Sequence, residues 1–170
     1  SILKVNLKND FINFQTFIDF DECVYSSIPE FTAHLVGGRL VNYGDNFLLS
    51  TGDFRTRYLT QDNNSILGKI LLINNKDKSY EFFSTGHRNP QGLLFDQQNN
   101  LILSTEHGPW GGDEINIIYK DKNYGWPISS YGKHYCEKKT PMSEKCKKKY
   151  LDYPLHKSHS DYGFEEPIKY

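Results

Sequence analysis

The chain has one alanine, Ala33, and one methionine, Met142, and it lacks any apolar run near the roughly 20 residues that a membrane-spanning helix requires. The shortage of alanine removes the best helix former. The shortage of long apolar runs excludes a helical membrane anchor within these residues. Charge of either sign is not in excess either: over 170 residues the net charge is −1. No global field therefore recruits nucleic acid or an anionic membrane. The Lys138, Lys139 and Lys145–Lys149 region is basic, but no aromatic residues interleave with it as stacking platforms would require, so it reads as the coat of an exposed loop. Phosphate loops, CxxC pairs and nucleophile-elbow motifs are absent, which withdraws support from phosphoryl transfer, zinc-ribbon and hydrolase chemistry. No secretory leader pattern opens the chain. With Met142 its one methionine, the first residue is expected to be a mature terminus or a cut.

What is present points to strands. Aromatic residues make up 15% of the chain, and Lys and Asn punctuate short apolar runs, the texture of an all-β protein with many turns. Three cysteines remain. Cys136 and Cys146 bracket CEKKTPMSEKC, a polar stretch suited to a surface excursion at about residues 136–150. A disulfide there, in an oxidising compartment and with Cys23 left unpaired, is one reading; three unrelated thiols is the other.

The chain also repeats itself. GRLVNYGDNFLLSTGD (Gly38–Asp53) and GLLFDQQNNLILSTEHG (Gly92–Gly108) each hold an apolar strand, a polar turn, and a second apolar strand that ends in Ser-Thr. A third strand follows each, from Gly68 and from Asp113, and a strand of that type, from Ile2, also opens the chain. Units of about 45–55 residues with three or four short strands are the mark of β-propeller blades. Alternation at Lys69–Leu72 is partial, as expected where both faces of a blade are covered. The reading is a single segment over residues 1–170, three to four blades of an incomplete ring, whose closure needs further blades or chains. A compact β-sandwich is the alternative.

Four motifs, GHRNPQG (Gly86–Gly92), EHGP (Glu106–Pro109), GGDEIN (Gly111–Asn116) and NYGWP (Asn123–Pro127), resemble those of the soluble glucose/sorbosone dehydrogenase family, which includes the PQQ-dependent aldose sugar dehydrogenases. A looser resemblance runs from Gly37 to about Tyr135. It implies a six-bladed propeller, an exported periplasmic or secreted protein, a sugar substrate oxidised at its anomeric carbon, and PQQ and Ca²⁺ as cofactors. By motif position, Arg88 and Asn89 would meet the reactive carbonyl region of the quinone. An arginine suits a developing oxyanion because its fork is permanently charged and directional. His107 and Asp113 would lie beside the cofactor, and the backbone carbonyls of Gly108 and Pro109 would ligate Ca²⁺, a hard cation that takes oxygen ligands. For Arg88 the other reading is a structural tie between blades; for Asp113, a turn aspartate bonding to nearby backbone.

The family's base is a histidine four residues before the arginine of a Gly-Gly-Arg motif, oriented by a strand-end aspartate. Asp53 matches that aspartate, but Leu35 stands four residues before Arg39, and His34 is one position early. In a strand such a slip turns the side chain to the opposite face unless a bulge intervenes. Two functions stay open on this ground: a PQQ-dependent sugar oxidoreductase, or a propeller that keeps the scaffold as a binding module. The basic residues that pair with quinone carboxylates come from blades beyond this region in the family, so the chain alone is expected to hold PQQ weakly. His156, His159 and Asp161 have ligand chemistry but read as a solvated loop.

Overall fold

The computed structural model describes residues 1–8, 11–22, 32–138, 141–152 and 155–170. Strands β1 (Ile2–Lys8) and β2 (Phe11–Ile18) form an antiparallel hairpin. Next come β3 (Gly37–Tyr43), β4 (Asn46–Thr51), β5 (Lys69–Ile73) and β6 (Tyr80–Thr85), an antiparallel meander. A second meander holds β7 (Pro90–Asp96), β8 (Leu101–Glu106) and β9 (Glu114–Ile117). The two-residue β10 (Lys122–Asn123) returns to pair in parallel with β6, and so stitches the second meander to the first. Each meander is blade-like, and β3 packs against β7. Connections at 52–68 and 124–170 take up the remaining repeat length.

The partial alternation of β5 has a direct cause. Ile70 joins Leu48, Phe83, Leu93, Ile102 and Ile118 in a core between the two meanders. Leu71 and Ile73 point the other way, into a second core with Ile18 and flanking Phe17, Phe20 and Phe47. The first meander is thus covered on both faces, and each side chain it buries fully is worth about 1.5–3 kcal/mol. Polar turn chemistry closes the hairpins. In the turn after β7, Asp96 accepts the Gln98 and Asn99 N–H groups at 3.0 and 3.2 Å, while Asn100 takes a left-handed φ of 50°.

The 136–150 excursion contains the α-helix α1 (Glu144–Asp152). Ser143 starts it, its hydroxyl accepting the Cys146 N–H at 3.2 Å, and lysines of good helix propensity continue it. Cys136 and Cys146 are disulfide-bonded, pinning the helix to the 3₁₀ turn Tyr135–Lys138. Cys23 and Lys139 lie outside the described residues. No helix among the described residues is long and apolar enough to cross a membrane.

Candidate active site

Both Ser-Thr strand ends lead into one polar cluster. Beyond β4 the chain turns at Gly52, where a Cβ would lie 1.8 Å from the Leu35 carbonyl oxygen, so a glycine is required for the two segments to touch. Asp53 follows and is 1% exposed. Its Oδ1 accepts the Arg55 N–H and its Oδ2 the Trp126 indole N–H, each at 2.8 Å. Its own N–H donates to the Arg88 carbonyl at 2.8 Å, which joins the two meanders at the site. Burial raises the Asp53 pKa above the ordinary carboxylate value; those two hydrogen bonds and the Arg88 and Arg57 charges pull against it.

Beyond β8, Glu106 gathers the loop that precedes β7. One oxygen accepts the Arg88 N–H and, at 3.2 Å, the Asn89 N–H. The other meets His87 Nδ1 at 3.0 Å, and His87 Nε2 lies 2.8 Å from Ser84 Oγ. Ser84, His87 and Glu106 line up as an acyl-transfer triad would. They are 1%, 0% and 6% exposed, and no substrate reaches them: the array holds the loop in shape. His87 also stacks on Tyr124, with ring centroids 4.7 Å apart.

The loop so held presents Arg88. Its Nη1 donates to the carbonyls of His107 (2.7 Å) and Gly108 (2.6 Å), and its guanidinium lies 5.3 Å from the Trp126 ring centre. The two carbonyls follow β8, in the sheet that Arg88 itself leads into, whereas Trp126 is bonded to Asp53, Thr60 and Gln61 of the first meander's connection. Asn89 is equally buried; its side-chain oxygen accepts the Gly37 N–H at 3.1 Å and its carbonyl accepts the His107 N–H at 3.1 Å. His107 and Asp113 are exposed neighbours, Nδ1 to Oδ1 3.7 Å, and Asp113 also accepts the Gly108 N–H at 3.1 Å. Gly108 sits so close to Gly112 that a Cβ would lie 1.6 Å from its oxygen, which gives the 107–113 loop its tight form. A cavity of about 10 Å³, space for one water, lies against Arg88, Glu106, Gly108, Glu114, Tyr124 and Trp126.

Two carboxylates face that cavity as cross-strand partners, Glu106 on β8 and Glu114 on β9. Burial first, and the Glu106 charge second, push the Glu114 pKa well above the carboxylate range. His159 is also here rather than on a solvated loop. It is 1% exposed, stacked on Tyr131, with ring nitrogens 3.7 Å from Glu114 and 3.9 Å from Glu166. Burial lowers its pKa. His156 bonds instead to Tyr162 Oη at 2.7 Å, so the two histidines do not form one ligand set.

The structure thus brings Asp53, Arg88, Asn89, Gly108 and Pro109 together, with His107 and Asp113 on the exposed side. His34 is exposed, and residues 32–36 do not form a strand. The face-reversal expected of a one-residue slip therefore does not govern it: Leu35 takes a left-handed φ of 60°, and β3 and β4 change register between Gly37 and Leu40. No group of three or more His, Cys, Asp or Glu residues suited to a metal occurs among the described residues. The residues that the sequence reading missed are Glu106, His87 and Trp126. All three stand inside the quoted motifs, but nothing in their spacing showed that Glu106 would cap the Arg88 loop, that His87 would join Glu106 to Ser84, or that Trp126 would hold Asp53.

Comparison with known proteins identifies the family. The family model described as Glucose / Sorbosone dehydrogenase matches residues 1–162. The Escherichia coli (strain K12) aldose sugar dehydrogenase YliI is 36% identical over 136 residues, 71% of this chain and 37% of its own length. Quinoprotein glucose dehydrogenase B of Acinetobacter calcoaceticus is 40% identical over 78 residues, 39% of this chain and 16% of its own length. A solved structure described as a glucose dehydrogenase superposes with a TM-score of 0.68 at 26% identity, covering 93% of this chain and 43% of that one. The fold is all-β, part of a β-propeller, and the chain spans well under half the length of these relatives.

Proposed function

The chain belongs to the glucose/sorbosone dehydrogenase family, and from that premise we propose that it carries part of the active site of a quinoprotein sugar dehydrogenase that oxidises an aldose at its anomeric carbon. The observation that supports this most is Arg88, a nearly buried residue whose guanidinium is held by the His107 and Gly108 carbonyls, whose backbone N–H is held by Glu106, and whose carbonyl accepts the Asp53 N–H. A permanent, oriented charge of this kind stabilises negative charge that develops on a bound oxygen. PQQ, as the cofactor, would supply the two-electron acceptor. The 10 Å³ cavity is far too small for a tricyclic quinone, so Arg88, Asn89, His107 and Asp113 would hold it on the open rim.

The chain must also take the proton of the anomeric hydroxyl. His34 is the exposed histidine beside the segment that carries Asp53, and we assign it that role. The neighbouring Thr32 N–H donates to the Phe54 carbonyl at 3.0 Å, and the Phe54 N–H to the Leu35 carbonyl at 3.2 Å, holding His34 near Asp53 along the backbone. Asp53 is itself held by Arg55 and Trp126, which give one hydrogen bond to each of its oxygens.

Ca²⁺ at the Gly108 and Pro109 carbonyls does not fit this arrangement. The Arg88 guanidinium is 2.6 Å from the Gly108 oxygen, where a dication would be repelled. No step is routed through a metal. Further blades would close the ring and add cationic partners for the quinone carboxylates. A periplasmic or secreted location accords with the Cys136–Cys146 disulfide. No observation favours the non-catalytic propeller over this reading.

The test is the full-length protein with PQQ, with and without Ca²⁺, assayed for aldose-dependent reduction of an artificial acceptor. Arg88→Ala should lower turnover about 10²–10³-fold, the scale of losing one oxyanion donor. Quinone binding without turnover on a broad aldose panel would overturn the assignment.

A further inference from the structure

Lys69, at the start of β5, has no place in the chemistry above, yet it is the largest fully buried side chain in the described residues, 0% exposed. Its ammonium donates to three backbone carbonyls: Thr60 at 2.7 Å, Leu67 at 2.9 Å and Leu59 at 3.3 Å. Two of those belong to the 3₁₀ turn Arg57–Gln61, where the Leu59 carbonyl also accepts the Asp62 N–H at 3.1 Å. Three carbonyl oxygens converging on one buried point make a cage for a cation, and Lys69 supplies that cation on its own tether.

The turn is tied to the site at both ends. On the incoming side, Thr56 donates to the Asp53 carbonyl through its N–H (2.6 Å) and its hydroxyl (2.7 Å), and the Leu59 N–H donates to the Thr56 carbonyl at 2.8 Å. On the outgoing side, Thr60 Oγ1 and Gln61 Nε2 both donate to the Trp126 carbonyl, at 2.8 and 2.6 Å. The Trp126 indole then closes the ring of contacts on Asp53 Oδ2 at 2.8 Å. Gly68 keeps the cage beside the Arg88 loop: its φ is +65°, and a Cβ there would lie 2.4 Å from Thr60 and 2.5 Å from the His87 oxygen.

We propose that Lys69 is a positioning residue: its caged ammonium fixes the 57–61 turn, which sets the Trp126 indole on Asp53 and so the geometry of the site. This rests on Asp53 belonging to the sugar-oxidising site. A neutral amine has two N–H groups for three carbonyls, and its lone pair would face one of them. Loss of the proton therefore loosens the turn. Burial pushes the Lys69 pKa down to about 8, against the pull of the charged groups that face it, Glu22 and Asp62. The switch therefore lies within reach of ordinary buffers.

The experiment follows the ¹⁵N resonances of Lys69 Nζ and the Trp126 indole in the full-length protein from neutral to alkaline pH, with Trp110→Phe and Trp126→Phe identifying the indole. Both resonances should move with one midpoint, at about 8. In Lys69→Met the indole resonance should be displaced at every pH and insensitive to this titration, with kcat about tenfold lower and KM unchanged. In Lys69→Ala, n-propylammonium should restore the resonance and tetramethylammonium should not. An indole resonance that stays still while Lys69 titrates overturns the proposal, as does a Lys69→Met protein with normal indole and kcat. If the substituted proteins fail to fold, the wild-type titration alone decides. If the protein oxidises no sugar, the resonances still report on the link to Asp53, so the two claims fail separately.

Discussion

The ends of β4 and β8 begin alike and finish as opposites. Ser50 and Ser104 are both buried and both donate to a carbonyl of the strand that opens the second meander, Ser50 to Pro90 at 2.7 Å and Ser104 to Gly92 at 3.0 Å. Two residues later the repeat diverges. Gly52 has no side chain, because Leu35 occupies its space; Glu106 has a long one, which ties together the Arg88 loop. At the next position Asp53 is sealed inside, whereas His107 faces solvent. One strand end thus buries an aspartate, and the other uses a buried glutamate to hold the backbone of an arginine. The lesson is that the two strand ends, alike in their serines, do not duplicate one arrangement of polar groups.

Four substitutions break this comparison. Glu106→Ala should do most damage, since it leaves the Arg88 and Asn89 N–H groups and His87 without their buried acceptor. A loss of about 3–5 kcal/mol is expected in denaturant unfolding, the scale of leaving several buried donors without an acceptor. Gly52→Ala comes next. A methyl group driven into the Leu35 carbonyl must displace backbone, at about 1–3 kcal/mol, and thermal unfolding reads it directly. The smallest effects come from the shared residue. Ser50→Ala should cost about 1 kcal/mol or slightly more, because Ser50 also accepts the Arg39 N–H at 3.0 Å, and Ser104→Ala should cost less. Equal costs for the two serines would show that the strand ends are more alike than their bonds suggest.

Much of this was legible before any coordinates. The blade repeat was readable because a strand that packs on two faces needs apolar residues of both parities, as β5 has in Ile70 and Leu71. That Arg88, Asn89, Gly108 and Asp113 would lie near one another was findable because they sit within a short ordered block. Glu106 as hub, Trp126 as the partner of Asp53, and the burial of His159 were not, because each depends on residues far apart in the chain meeting in space. His34 shows the limit from the other side: counting residues back from Arg39 assumes a strand, and the backbone there turns left-handed at Leu35.

By itself, then, the sequence determined that the chain would be strands and turns, repeated as blades, with its chemistry gathered at the strand ends. These follow from local pattern: apolar periodicity, turn residues and the near absence of alanine. Only the tertiary structure decided which strand end would bury its acid, which carbonyls Arg88 would hold, and that Lys69 would sit as a cation inside the fold. Those outcomes depend on the exclusion of water around particular atoms. Burial of that kind is a property of the packed whole and leaves no mark on the spacing of residues along the chain.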